Sequence, residues 1–297
     1  QKADIIEKNT ELEQQQEEIM SQHEEMEIQS AQLSLVNQKI SEKNRNITAS
    51  INYAKRIQDA MLPLIENIQA NLPDSFVFYR PRDIVSGDFY WFYEKEDELI
   101  IAAVDCTGHG VPGAFMSLVA SNLLHNAIVH KGITDPDKIL SKLHRSTYSY
   151  LKQGKTRNQD GMDIALCHID KEARILTYAG AKNPLIYMQN KEINVIKGTR
   201  HSIGGYSKFS NADIHFQQHK IELTKEPTTF YIYTDGFQDQ FGGEKGGKFR
   251  TAPFRKLLAK ISKESTDKQE DLLAKSFDNW KGNEKQIDDV LVIGFRI

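Results

Sequence analysis

Four places in this chain put a carboxylate where a strand should end or a turn should tighten. Asp88 sits in Ser-Gly-Asp-Phe-Tyr-Trp, Asp105 in Val-Asp-Cys-Thr-Gly-His-Gly, Asp235 in Tyr-Thr-Asp-Gly-Phe, and Asp288-Asp289 in Gln-Ile-Asp-Asp-Val-Leu-Val. Three of these adjoin strongly apolar runs: Ile100–Val104, Phe230–Tyr233 and Val290–Ile293. A carboxylate at the end of a buried strand is costly unless something neutralises it. Hard divalent cations do so, held by carboxylate oxygens, backbone carbonyls and water. Glycines beside Asp88 and Asp235 let the backbone come close. Taken singly, each aspartate reads as well as a solvated turn residue. Together they would form a two-metal site if the strand ends converge.

A second motif points elsewhere. Gly108-His109-Gly110-Val111-Pro112-Gly113 matches G-x-G-x-x-G between a predicted strand and a predicted helix, as a dinucleotide site requires. Asp105, however, places a negative charge where a pyrophosphate would lie. The acids at about the right distance, Asp135 and Asp137, open a helix instead of ending a strand. Ala114-Phe115 stands where a phosphate loop needs Lys-Ser/Thr. A nucleotide fold is therefore set aside.

The elements that must position the aspartates follow from periodicity. Strands are predicted at 75–80, 99–105, 163–169, 174–179, 184–189, 192–196, 213–222, 228–234 and 289–296. Helices are predicted at 114–130, 135–152, 251–263 and 268–281. Strands outnumber helices and the helices come in adjacent pairs, which indicates an α+β fold of antiparallel sheets covered by helices.

Residues 1–61 are different. They hold no Gly or Pro, and Ile5, Leu12, Ile19, Met26, Leu33, Ile40 and Ile47 recur every seven positions, with Ala54 and Met61 in the same register. This is one seam of a coiled coil, which needs two. The other seam is polar at Asn9, Gln16, His23, Ser30, Asn37 and Asn44, and apolar only at Ile51. The pattern fits a solvated spacer helix, or a parallel dimer near its balance point that an upstream input can shift. Domains are assigned as a coiled-coil signalling helix at 1–50, a linker or switch helix at 51–73, and one domain at 74–297.

Bulk properties narrow the function classes. A net charge of −3 predicts no nucleic-acid or membrane-surface partner. Cys106 and Cys167 lack metal-type spacing and suit a reducing, cytoplasmic setting. No run reaches the roughly 20 apolar residues of a membrane span. The chain opens on Gln1, so it reads as part of a longer polypeptide with a sensor domain upstream, one that would include any membrane tether.

The acidic segments, taken in order, resemble the SpoIIE/RsbU branch of the 2C-like metal-dependent protein phosphatases (the PPM family). The resemblance rests on Gly-Asp-Phe-Tyr, Asp-x-x-Gly-His-Gly-x-x-Ala followed by Met-Ser, Tyr-Thr-Asp-Gly and the closing Asp-Asp-x-x-Val. Ala179-Gly180-Ala181-Lys182-Asn183-Pro184 and the linker-like Ile57-Gln58-Asp59-Ala60-Met61-Leu62-Pro63 extend it. It spans about residues 50–297 and implies a β-sandwich flanked by paired helices, in α-β-β-α layers. It further implies two Mn²⁺ or Mg²⁺ ions per active site. Asp105 would bridge them, Asp88 and the Cys106 carbonyl would serve the first, and Asp235 and Asp288 the second, with Asp289 as the fallback for Asp288. The implied activity is hydrolysis of phosphoserine or phosphothreonine on a phosphorylated regulatory protein of the anti-sigma-antagonist (STAS) kind. The N-terminal helix would form a homodimer.

Some positions stay open. His109 lies four residues after Asp105, not two as in eukaryotic relatives, and is a candidate acid/base, a helix cap or a packing residue. Arg80 and Arg82 are candidates for phosphate binding or for surface salt bridges. Asp160 and Asp163 lie near a third-metal position, while hairpin turn chemistry explains Asp160-Gly161 equally well. Two rival functions remain: an inactive phosphatase-like scaffold acting through its coiled coil, and a phosphohydrolase using His109 as nucleophile.

Overall fold

A computed structural model of the chain describes residues 2–190, 192–205, 214–244 and 246–297. Helix α1 (Lys2–Met61) is 60 residues long. The chain divides into two compact units, one ending at Tyr53 and one running from Ala54 to Ile297. In the first unit the seam residues Ile5, Leu12, Ile19, Met26, Leu33, Ile40 and Ile47 are all exposed. Among the described residues no helix is long and apolar enough to cross a membrane.

After the end of α1, the second unit contains in chain order α2 (Ile65–Asn71), β1 (Ser75–Arg80), β2 (Phe89–Lys95), β3 (Glu98–Cys106), α3 (Gly110–His125), α4 (Pro136–Tyr150), β4 (Gly161–Asp170) and β5 (Ile175–Ala181). It continues with β6 (Leu185–Gln189), β7 (Glu192–Ile196), β8 (Ile203–Gly204), β9 (Gln218–Glu222), β10 (Thr229–Tyr233), α5 (Gly236–Asp239), β11 (Phe241–Gly242), β12 (Gly247–Lys248), α6 (Thr251–Ile261), α7 (Thr266–Lys281) and β13 (Val290–Arg296). One sheet has the order β1-β13-β10-β6-β7, and the other β2-β3-β4-β5-β9 with β8 paired to β4. Neighbouring strands within both sheets are antiparallel.

The central strands read as unbroken apolar runs because both their faces are covered. In β3, Leu99, Ile101 and Ala103 point into the layer between the sheets, while Ile100, Ala102 and Val104 meet α3 and α4. In β13, Leu291, Ile293 and Phe295 face the inter-sheet layer, while Val290 and Val292 pack against α6 and α7. The molecule thus has the α-β-β-α layering and the α+β class expected from sequence. At about 25 cal/mol per Å² of apolar surface, these three stacked layers are the main source of stability.

Several elements escaped the periodicity, the two-residue strands β8, β11 and β12 among them. β2 has aromatic residues on both faces, so Phe89-Tyr90-Trp91-Phe92-Tyr93 shows no alternation. α2 and α5 are too short to show a helical period. The predicted strand at 213–222 begins at a residue outside those described, and the observed β9 occupies only its second half.

Candidate active site

The strand register brings the aspartates to one end of the sandwich. Asp105 lies opposite Asp163 in the β3–β4 ladder, and Phe89 opposite Val104, so Asp88 stands beside Asp105. By strand alternation Asp105 and Asp163 continue the parity of Ala103 and Ala165, whose side chains face the inter-sheet layer. From the other sheet, Asp235 follows β10 and Asp288 precedes β13 at the same end. A cavity of about 290 Å³ opens there, lined by Asp105, Asp163, Asp235 and Asp288 together with the Cys106–His109 loop, Met162, Lys182 and Ser202.

These carboxylates raise one another's proton affinity. Burial first, then repulsion from Asp105, holds Asp88 well above the usual carboxylate range, with partial relief from the Thr234 hydroxyl. Burial, then Asp235, Asp163 and Asp288, does the same to Asp105. Asp235 is pushed up to about 6 by burial and then by Asp288. Burial also raises Asp288, and the backbone N–H of Asp289 opposes that rise. Asp88 is 3% exposed, and its Oδ2 is buried without a hydrogen-bond partner. A divalent cation fits this donor set, since it would satisfy that oxygen and offset the mutual repulsion. The side chains stand apart around the cavity. Among the described residues no three His, Cys, Asp or Glu side chains form a ready-made metal group.

Asp289 is different from its neighbour. It is 2% exposed, and its two oxygens accept the backbone N–H groups of Arg82 at 2.7 Å and Gly87 at 2.8 Å. Its lone pairs are spent on the segment that carries Asp88, whereas Asp288 lines the cavity. Gly87 must be glycine for another reason: a Cβ there would overlap the Gly108 carbonyl oxygen, as would one at Gly113. The G-x-G-x-x-G segment therefore serves close packing of two loops around the carboxylates.

The remaining candidates separate cleanly. His109 lines the cavity, places Nδ1 3.1 Å from Asp83 Oδ2, and makes no side-chain cap to α3. Arg80 does not line the cavity. It forms a two-pronged pair with Asp278 at 2.5 and 3.1 Å and lies over the rings of Phe78 and Phe277. Asp160 closes a local turn, accepting from Asn158 Nδ2 at 2.6 Å. Asp163 lines the cavity, 3.2 Å from Lys182 Nζ. Cys106 and Cys167 are buried free thiols, and burial pushes both well up, so neither is a nucleophile. Two cavity residues, Lys182 and Ser202, had not been singled out from sequence. The only signal was that Lys182 falls inside the Ala-Gly-x-x-Asn-Pro turn.

The family model described as stage II sporulation protein E (SpoIIE) matches residues 95–297. The chain belongs to the SpoIIE family. It is thus a 2C-type serine/threonine phosphatase domain preceded by a long helix. Among solved structures, this SpoIIE-family chain is similar to the SiaA-PP2C domain of Pseudomonas aeruginosa, at 34% identity and a TM-score of 0.77, covering 86% of this chain and 98% of that one. It shares its fold with the phosphatase domain and regulatory fragment of SpoIIE from Bacillus subtilis, at 17% identity and a TM-score of 0.59. That match covers 75% of this chain and 63% of that one. RsbX in complex with magnesium matches at 17% identity and a TM-score of 0.53, covering 75% of this chain and 94% of that one. A comparison with curated protein sequences finds no match.

Proposed function

We propose that this chain hydrolyses phosphoserine or phosphothreonine on a small regulatory protein of the anti-sigma-antagonist (STAS) kind, using two Mn²⁺ or Mg²⁺ ions. The observation that carries this is the meeting of carboxylates from both sheets at one cavity, with Asp88 Oδ2 buried and unpaired. Asp88, Asp105, the Cys106 carbonyl, Asp235 and Asp288 would hold the ions. When bound, such ions acidify water and neutralise phosphoryl oxygens. Asp289 would hold the Gly87–Asp88 backbone in place and is a positioning residue in this reading. His109, steadied by Asp83 at the cavity rim, would give a proton to the leaving oxygen.

Residues 74–297 would be the catalytic domain, 51–73 the linker or switch, and 1–50 the signalling helix. The exposed seam of α1 supports a homodimer, because a single helix would leave that stripe in water. Regulation has a physical route. Gln58, near the end of α1, is 4% exposed. Its Nε2 donates to the Ser86 carbonyl at 2.7 Å and to Ser117 Oγ at 2.9 Å, and its Oε1 accepts the Ser86 N–H at 3.0 Å. Ser86 Oγ in turn accepts the Asp88 N–H at 3.0 Å. A shift of this helix end would move Asp88 through two hydrogen-bonded steps.

Hydrolysis of p-nitrophenyl phosphate and of a phosphoserine peptide tests the proposal. Activity should require Mn²⁺ or Mg²⁺, vanish with a chelator, and fall at least 100-fold in Asp105→Asn, on the order of losing one electrostatic group at a reacting centre. Chelator-resistant turnover would sink the proposal, and a phosphohistidine at His109 would replace it. No turnover under any metal would leave the scaffold reading. Removing residues 1–45 should change both the mass in sedimentation and the turnover.

A further inference from the structure

The cavity wall is strongly negative, yet a phosphate monoester brings up to two more negative charges. Among the described residues lining the cavity, Lys182 supplies the one fixed positive charge. His109, the other basic side chain there, is engaged by Asp83.

Lys182 is delivered to the rim by constrained backbone. Its φ is +58°, in the left-handed region that disfavours side chains with a Cβ. The turn is clamped on both sides. The Lys182 N–H donates to the Thr199 carbonyl at 2.7 Å, the Asn183 N–H donates to the Ala181 carbonyl at 2.7 Å, and the Tyr178 hydroxyl donates to the Asn183 carbonyl at 2.5 Å. Ala181, just ahead, is paired with Ile164 in the β4–β5 ladder. The conformation costs a lysine more than it would cost glycine, and the surrounding hydrogen bonds hold it there. The lysine side chain is 52% exposed, with Nζ 3.2 Å from Asp163 Oδ2. Asp163 faces Asp105 across the β3–β4 ladder. The ammonium therefore lines the carboxylate cavity while half of its side chain stays open to solvent.

We propose that Lys182 receives the phosphoryl group: Asp163 holds its ammonium at the rim, and the non-bridging oxygens of an arriving phosphomonoester take it over. This rests on the phosphatase reading above and adds a residue to it. Arg80, the candidate for this task from sequence, is committed to Asp278 and two aromatic rings.

The test is calorimetric binding of inorganic phosphate to the manganese-loaded full chain, for wild type, Lys182→Met and Lys182→Arg, with phosphopeptide kinetics alongside. Lys182→Met should weaken phosphate binding about tenfold, the size of one charge-assisted contact. It should raise KM by a similar factor with kcat little changed. Lys182→Arg should recover most of both. Melting curves of both variants in chelator report that they fold. Unchanged phosphate affinity in Lys182→Met overturns the proposal. An extra bound Mn²⁺ in that variant, with phosphate affinity unchanged, also overturns it and makes Lys182 a counter-ion for Asp163 alone. If phosphate binding depends on Lys182 while wild type hydrolyses no phosphopeptide, the phosphatase reading falls and this inference stands.

Discussion

Asp288 and Asp289 are adjacent and chemically identical, yet their substitution by asparagine should have opposite effects on stability. Asp289 is buried and accepts two backbone N–H groups, at 2.7 Å from Arg82 and 2.8 Å from Gly87. Asparagine keeps one acceptor oxygen and turns the other into an NH₂ that faces an N–H. One charge-assisted bond worth about 1.5–3 kcal/mol is lost, and a buried donor is left unsatisfied. Part of this overlaps, so the net loss is about 2–4 kcal/mol, or roughly 5–15 °C in Tm for a body of this size. Asp288 is half-buried and is repelled by Asp289, and its Oδ1 accepts the Asp289 N–H at 2.9 Å. Asparagine retains that acceptor and removes the repulsion, so Asp288→Asn should melt at the wild-type temperature or slightly above it in chelator. Thermal melts in chelator, paired with Mn²⁺ titrations, separate the two. Asp288→Asn should lose metal affinity without losing Tm, whereas Asp289→Asn should lose both. Equal melting temperatures for the two variants would refute the division of labour.

Three further outcomes are expected. Asp235, pushed up to about 6, binds its proton more tightly folded than unfolded. Its contribution to stability is full below the ordinary carboxylate pKa of about 4 and is lost as pH rises through the folded value. Chelated protein should therefore lose Tm between about pH 4 and pH 6, and Asp235→Asn should flatten that slope. Gly87→Ala drives a methyl into the Gly108 carbonyl. Overpacking of this kind costs about 1–3 kcal/mol, and displacement of Asp88 should weaken Mn²⁺ binding by calorimetry. Arg80→Ala should leave KM unchanged and cost about 1 kcal/mol in urea melts, because its pair with Asp278 is partly exposed and screened by water.

Sequence reading reached an α+β fold of antiparallel sheets covered by helices because strands outnumber helices and the helices come in adjacent pairs, and the α-β-β-α layering followed from the resemblance that the ordered acidic motifs carry. The resemblance ranked Asp288 ahead of Asp289, but the residues alone could not show why, because the distinction depends on N–H groups of Arg82 and Gly87 about two hundred positions earlier. Arg80 and Lys182 were unresolvable in the same way. Which basic residue faces the cavity is set by the rotation of a turn and the packing of α7, and neither leaves a periodic trace. β2 was hidden by its own aromatic richness.

Asp88, Asp105 and Asp163 ride on one sheet, and Asp235 and Asp288 on the other, so the cavity is gripped like a workpiece between two jaws. What sets the jaw spacing is the greasy filling behind it, including the Phe230–Phe295 stack with ring centroids 5.4 Å apart. Thinning that filling far from any carboxylate would let the jaws slip and detune ion capture while every ligand stays intact. Loss-of-activity variants in this protein should therefore turn up in the apolar interior as well as around the cavity.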